Sequence, residues 1–312
     1  MNIVFFGSGA FGLPTIQALA KHHSITAIVT QPDRRAGRGK SLTPTPIGQW
    51  AADHSPDLPL YKPEKINEPE SRDPIRAHAA DAWVIIAFGQ KLSPALLADR
   101  FSMNLHASLL PRWRGAAPIN AAIVAGDTQT GNSVITMADK MDAGLVLGQS
   151  TRPIEATQTK ADLENLLAAD GPQLVLDVLN RHENGTLDPV TQNEALVTLA
   201  PKMSKSDGRI DFRDPADICR TRINGLSPWP AVTVGFQDQP LKILRADSQE
   251  VDSAHNPGSV IDPDHGLIAC APGTAVRAIE VQPPGKKPMP WADFARGRSV
   301  KAGDTLTQPP AT

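Results

Sequence analysis

Hydrophobic positions come in short runs separated by polar and Gly/Pro-bearing stretches. Asn2-Ile3-Val4-Phe5-Phe6 is an apolar run closed by glycines, the pattern of a buried strand. Residues 13–21 follow with Ile16 and Ala20 on one face, which predicts a helix. Residues 25–30 predict the next strand, and 31–46 form a long polar loop carrying Gly and Pro. Residues 82–87 and 101–106 predict two more strands. A helix is predicted over 116–125, a strand over 133–137 and a longer helix over 159–179. Strands alternating with helices predict an α/β fold, a parallel sheet with helices on both faces.

The pattern changes after about residue 185. Residues 209–212, 231–234, 241–244 and 267–270 are short strand candidates separated by Gly, Pro and Asp turns, as in a small antiparallel barrel or sandwich. The expected organisation is a first domain over 1–190, a linker over 191–208 and a C-terminal domain over 209–312. Residues 308–312 are expected to be disordered.

Composition narrows the function classes. The chain has 31 basic and 33 acidic residues, a net charge of -2, which excludes a globally basic nucleic-acid binder but leaves local patches open. The region from residue 209 onward is neutral. Twenty-nine prolines disfavour a helical bundle. Two cysteines, Cys219 and Cys270, exclude a disulfide scaffold and an all-cysteine zinc site. The chain starts without a basic, cleavable leader, and no apolar run approaches the roughly 20 residues of a membrane helix. A reduced, cytoplasmic setting without membrane attachment is expected.

Gly7-Ser8-Gly9-Ala10-Phe11-Gly12 fits G-x-G-x-x-G between a predicted strand and helix. Such a turn can hold a pyrophosphate on the helix N-terminus. The acid that should hold the ribose is displaced, because the second strand ends Thr30-Gln31-Pro32 and Asp33 lies beyond the proline. Two readings stand: a structural tight turn, or the cofactor site of an NAD-dependent dehydrogenase.

The densest chemistry lies in residues 104–119. Asn104 and His106 sit two apart at a strand end, so alternation puts both side chains on one face. In an open α/β sheet the carboxyl ends of strands form the ligand crevice. Asp142 follows in Lys140-Met141-Asp142-Ala143-Gly144, a turn after the next strand. An amide, an imidazole and a carboxylate converging there suit acyl transfer to an amine. The amide donates to a developing oxyanion and the imidazole exchanges protons near neutrality. The carboxylate favours the imidazolium. Spacing alone equally allows a surface His beside an unrelated Asn.

His106-Ala107-Ser108-Leu109-Leu110-Pro111 with Asp142-Ala143-Gly144 resembles the folate-dependent formyltransferase superfamily. Arg112-Trp113-Arg114-Gly115-Ala116-Ala117-Pro118-Ile119 and residues 30–40 narrow the resemblance to the methionyl-tRNA formyltransferases. So do Lys202-Met203-Ser204-Lys205, Ser227-Pro228-Trp229-Pro230 and residues 282–289. The likeness runs from residue 3 to about residue 300.

The resemblance implies a Rossmann-like catalytic domain followed by a C-terminal OB-like β-barrel that binds tRNA. It implies 10-formyltetrahydrofolate as donor and methionyl initiator tRNA as acceptor, with catalytic roles for Asn104, His106 and Asp142. The folate site would be lined by Phe88, Gly89, Gln90, Lys91 and Leu92 and by Ser108, Leu109, Leu110 and Pro111. Arg34, Arg35, Arg38 and Lys40 would reach the tRNA acceptor end, with Arg38 foremost. Arg114, Lys202, Lys205, Lys286 and Lys287 are further tRNA contacts, although a basic loop can equally be a solvated one. No metal is expected, since no His/Cys cluster has ligand spacing. A monomer is expected. The alternatives are an amino-sugar nucleotide formyltransferase, the dehydrogenase above and a non-enzymatic RNA-binding module.

Overall fold

The computed structural model describes residues 1–36, 41–252 and 255–308. In chain order the first elements are β1 (Asn2–Gly7), α1 (Leu13–His22), β2 (Ser24–Val29), β3 (Arg34–Ala36), β4 (Ser41–Thr43), α2 (Pro46–His54) and β5 (Leu60–Tyr61). There follow α3 (Pro69–Arg76), β6 (Ala82–Ile86), α4 (Pro94–Leu97), β7 (Ser102–His106), β8 (Arg114–Gly115), α5 (Pro118–Val124), β9 (Gln129–Thr136), β10 (Val146–Pro153) and α6 (Lys160–Glu183). The remainder holds β11 (Leu199–Ala200), α7 (Ala216–Gly225), β12 (Val232–Phe236), β13 (Gln239–Glu250), β14 (Val260–Asp262), β15 (Leu267–Ala269), β16 (Thr274–Gln282), β17 (Met289–Pro290) and α8 (Trp291–Arg298).

These residues form two compact units. One comprises Met1–Arg114, Gly131–Arg152 and Glu164–Thr198; the other comprises Gly115–Thr130, Pro153–Leu163 and Leu199–Thr312.

The first unit is built on a seven-stranded sheet of order β10-β9-β7-β6-β1-β2-β5. From β5 to β7 neighbouring strands run parallel. The alternation predicts a parallel sheet, and one pairing departs from it: β9 runs antiparallel to β7. Thr136 N donates to Leu145 O, turning the chain back into β10. The short 137–145 connection allows that hairpin, whereas a parallel crossover needs a dozen or more residues.

The doubly buried sheet explains the uninterrupted apolar strands. Ile3 and Phe5 enter one core with Ile16 and Leu19 of α1, Trp50 of α2 and Val175 and Val178 of α6. Val4 and Phe6, pointing the other way, enter a second core with Trp83 of β6, Ile75 of α3 and Leu96 of α4.

At the carboxyl end of β1 the glycine motif makes a tight turn. A Cβ on Gly7 would lie 2.6 Å from the Phe5 ring and 3.0 Å from the Ile86 carbonyl oxygen. Ser8 Oγ donates to Phe88 O at 2.9 Å and accepts from Gln31 N at 3.0 Å. The turn is thus tied to the loops after β6 and β2. The 31–46 segment, expected as plain loop, contains β3 and β4 paired antiparallel, Arg34 opposite Thr43.

The second unit is centred on an antiparallel sheet of order β12-β13-β16-β15-β14, with β17 on β16. Its core gathers Ile223 of α7, Ile243, Val276, Val281 and Phe294 of α8, and takes in Cys219 and Cys270. The named strands do not close the sheet into a barrel. Isolated bridges from Thr305 and Thr307 to Ser259 and Gly235 join its two edges instead.

Residues 209–212 are not a strand. Ile210 and Phe212 are buried, which gives the alternating pattern, but the Asp211 carboxylate accepts from Arg213 N and its guanidinium and bends the chain locally. Gln308 is anchored, donating to Ile210 O. The disorder expected for 309–312 lies outside the described residues.

Candidate active site

β6 and β7 are parallel neighbours, with Ile85 opposite Asn104, so the loops after them leave the sheet at the same end. In β7, Met103 and Leu105 face the core that contains α6. Alternation turns Asn104 and His106 to the opposite face, as the sequence predicts. Asn104 is half-buried, and its carboxamide has no hydrogen-bond partner among the described residues. His106 is 7% exposed.

The imidazole is fixed by backbone. His106 Nε2 lies 2.9 Å from Trp113 O. A carbonyl oxygen only accepts, so Nε2 carries a proton. The other ring nitrogen, Nδ1, faces Asp142 Oδ2 at 3.7 Å. That is ion-pair range but beyond a hydrogen bond. Trp113 O, not the carboxylate, orients the ring.

Asp142 stands in a forced turn. Its φ is +54°, a left-handed value uncommon for residues other than Gly, Asn and Asp. Two residues on, a Cβ at Gly144 would fall 1.7 Å from Thr136 O. The Asp-Ala-Gly sequence thus meets two backbone requirements while presenting a carboxylate.

Gln192 grips this turn. Its Nε2 donates to Asp142 O and to Gly144 O, both at 2.8 Å. Its Oε1 accepts from Arg114 Nε at 3.0 Å, and Arg114 Nη2 donates to Glu194 Oε1 at 2.7 Å. That hydrogen bond holds the Glu194 carboxyl below its ordinary value. Arg114, expected as a tRNA contact, is 5% exposed and spends its guanidinium on these two partners. Sequence reading passed over Gln192 and the Trp113 carbonyl. Neither carries a type-specific signal: one is an amide fifty residues from the turn, the other a backbone atom.

The expected donor-binding segments surround β6 and β7. Phe88 and Leu92 are core residues, Gly89 (φ +93°) and Lys91 are exposed. The Gln90 carboxamide is engaged by backbone, donating to Pro63 O and accepting from Ile66 N. This loop therefore offers mainly backbone, Gly89 and Lys91 to a ligand. In 108–111, Ser108 is buried and its Oγ donates to Arg112 O. Leu110 is buried, its N donating to Ser133 Oγ and its O accepting from Gln149 Nε2. Leu109 and Pro111 are half-buried.

Of the basic loop, Arg34 is exposed and paired with Glu64 at 2.7 Å, and Arg35 is exposed. Arg38 and Lys40 lie outside the described residues. In the second unit Lys202, Lys205, Lys286 and Lys287 are all exposed. Among the described residues no three His, Cys, Asp or Glu side chains group as metal ligands, and no helix is long and apolar enough to cross a membrane.

Residues 1–179 match the Formyl transferase family and residues 202–299 the Formyl transferase, C-terminal domain family. The methionyl-tRNA formyltransferase of Methylococcus capsulatus is 39% identical over 98% of this chain and 99% of its own. That of a Bradyrhizobium species is 42% identical over 97% and 98%. Among solved structures, WlaRD, a sugar 3N-formyl transferase, aligns with TM-score 0.68 at 13% identity over 92% of this chain and 99% of its own. HypX from Aquifex aeolicus, in complex with tetrahydrofolic acid, aligns with TM-score 0.64 at 16% identity over 98% of this chain and 50% of its own. At those identities the structures speak for the fold alone.

Proposed function

The chain belongs to the methionyl-tRNA formyltransferase family, and from that membership we propose how its side chains carry the reaction. The enzyme transfers the formyl group of 10-formyltetrahydrofolate to the amino group of methionyl-tRNA. Its acceptor is the initiator tRNA, it acts as a monomer, and its setting is the cytoplasm. Its catalytic domain is assigned to 1–190, its linker to 191–208 and its C-terminal, tRNA-binding domain to 209–312, a reading supported by the presence of two family matches, at 1–179 and 202–299.

The observation that carries the assignment is His106 Nδ1 at 3.7 Å from the Asp142 carboxylate, with the Asn104 carboxamide on the same strand face. An α-amino group has a pKa of about 7.7–8.0, so a useful fraction is already the free nucleophile at neutrality. Direct attack on the formyl carbon then needs no acyl-enzyme. Neither cysteine is available as a nucleophile, since both are buried in the second unit's core.

Attack makes an oxyanion on the formyl oxygen and a cationic nitrogen. The Asn104 N–H donates to the oxyanion, a contribution of roughly 3–4 kcal/mol. His106 adds a second donor when Nδ1 is protonated, Nε2 being committed to Trp113 O. Asp142 accepts the excess proton of the attacking nitrogen, directly or through one water. As the oxyanion collapses, the C–N bond to the folate nitrogen breaks and that nitrogen receives the proton taken from the amine, so the transfer is proton-neutral. Fixing both substrates contributes by orientation.

Gly89, Lys91 and the 108–111 segment hold the donor, with Phe88, Gln90 and Leu92 shaping their loop from behind. Arg34, Arg35, Arg38 and Lys40 hold the acceptor end by phosphate contacts, joined by Lys202, Lys205, Lys286 and Lys287.

The test offers purified protein the formyl donor with charged initiator tRNA, uncharged tRNA or an amino-sugar nucleotide. Formylation of the charged tRNA alone is expected. Preferential formylation of the sugar nucleotide would overturn the acceptor assignment.

A further inference from the structure

We infer that Gln192 and Arg114 are positioning residues for transfer, a brace that sets the Asp142 carboxylate against His106. The inference rests on the reading that His106 and Asp142 carry the reaction.

Three features support it. First, both hydrogens of the Gln192 amide are spent on one turn, at the carbonyls of Asp142 and Gly144. They clamp the backbone on either side of Ala143, where Asp142 is held at φ +54°. A left-handed residue persists only where its surroundings over-determine it.

Second, Arg114 fixes which way round the amide sits. A guanidinium only donates, so Gln192 Oε1 must face Arg114 Nε and Nε2 must face the turn. A flipped amide would set N–H against N–H on one side and oxygen against carbonyl oxygen on the other. The buried guanidinium is in turn neutralised by Glu194.

Third, Arg114 directly follows Trp113, whose carbonyl orients the His106 ring. One dipeptide thus holds the imidazole through its backbone and the carboxylate through Gln192. The 3.7 Å separation is referenced to a single point in the chain. This gives Arg114 a task inside the protein in place of a tRNA contact.

The test is a kinetic double-mutant cycle. Gln192→Leu should lower kcat about 10- to 100-fold, because ångström-scale misplacement of a reacting group costs on that order. KM for donor and tRNA should stay within about two-fold, and Tm-corrected active fraction should not account for the loss. Gln192→Glu, of equal volume, keeps an oxygen for Arg114 but brings no N–H to the turn; it should show the same kcat loss and carries the test if the leucine variant fails to fold. Arg114→Lys should fall between wild type and Gln192→Leu. On an Asp142→Asn background, Gln192→Leu should cost less than about three-fold more. Full multiplicative loss in the double variant, or normal kcat for both Gln192 variants beside an impaired Asp142→Asn, would overturn the brace. Normal turnover by Asp142→Asn alone would instead overturn the catalytic reading beneath it.

Discussion

Replacing Asn104 by alanine separates catalysis from stability more cleanly than any other change in the site. The Asn104 backbone pairs with Ile85 on one side and Ile135 on the other, and both pairings survive the substitution. The carboxamide bonds to no other described residue and is half-buried, so its loss should cost the fold under about 1 kcal/mol. In the transition state the same group is assigned a full hydrogen bond to a developing negative charge. Losing one such donor costs roughly 3–4 kcal/mol, a fall of about 10²- to 10³-fold in kcat. The assay is formyl transfer at saturating donor and charged initiator tRNA, with Tm measured beside it. The expected result is a kcat loss in that range, little change in KM and a Tm within a few degrees of wild type. A kcat within about three-fold of wild type would remove Asn104 from the mechanism. A loss matched by a falling folded fraction would make its role structural.

The basic loop and the second unit give further tests. Arg38→Ala should raise KM for tRNA and flatten its salt dependence, leaving donor binding within about two-fold; an unchanged kcat/KM for tRNA would take the loop out of the acceptor site. In the second unit Asp162 pairs with Arg245 at 2.7 Å. Burial pushes its carboxyl up, but hydrogen bonds from Arg245 and from Thr159 outweigh that and hold it below the ordinary value. A depressed carboxyl stabilises the fold above its unfolded pKa of about 3.9 and loses that stabilisation as pH falls through the lower folded value. Asp162→Asn should therefore lower Tm at pH 7 and narrow its gap to wild type in acid. A gap that does not change with pH would refute the pair's contribution.

Much of the site is written in local patterns. β7 and its neighbours alternate so regularly that the shared face of Asn104 and His106 follows from strand geometry alone. The glycine turn after β1 is legible because Gly7 leaves no room for a side chain. What was not legible depends on partners distant in sequence. Arg114 reads as a surface cation until Gln192 and Glu194, some eighty residues later, are found around its guanidinium. Residues 209–212 read as a strand because burial alternates there, yet no neighbouring strand pairs with them and Asp211 turns the chain. The direction of β9 is not legible because a strand's hydrophobic run does not carry it, and the 107–128 connection from β7 is long enough for a parallel crossover as well.

The central claim is that Asp142 and His106 act on the reacting amine while contributing little to tRNA affinity. It is tested most directly by rapid-quench, single-turnover formyl transfer with Asp142→Asn, the complex preformed with charged initiator tRNA and its affinity measured separately. Asparagine keeps the shape of the turn but cannot take a proton, and positioned acid–base groups contribute about 10²- to 10⁴-fold. The expected result is a chemical-step rate lower by at least about a hundred-fold with tRNA Kd within about two-fold of wild type. A near-normal single-turnover rate, or a loss that appears only in Kd, would contradict it.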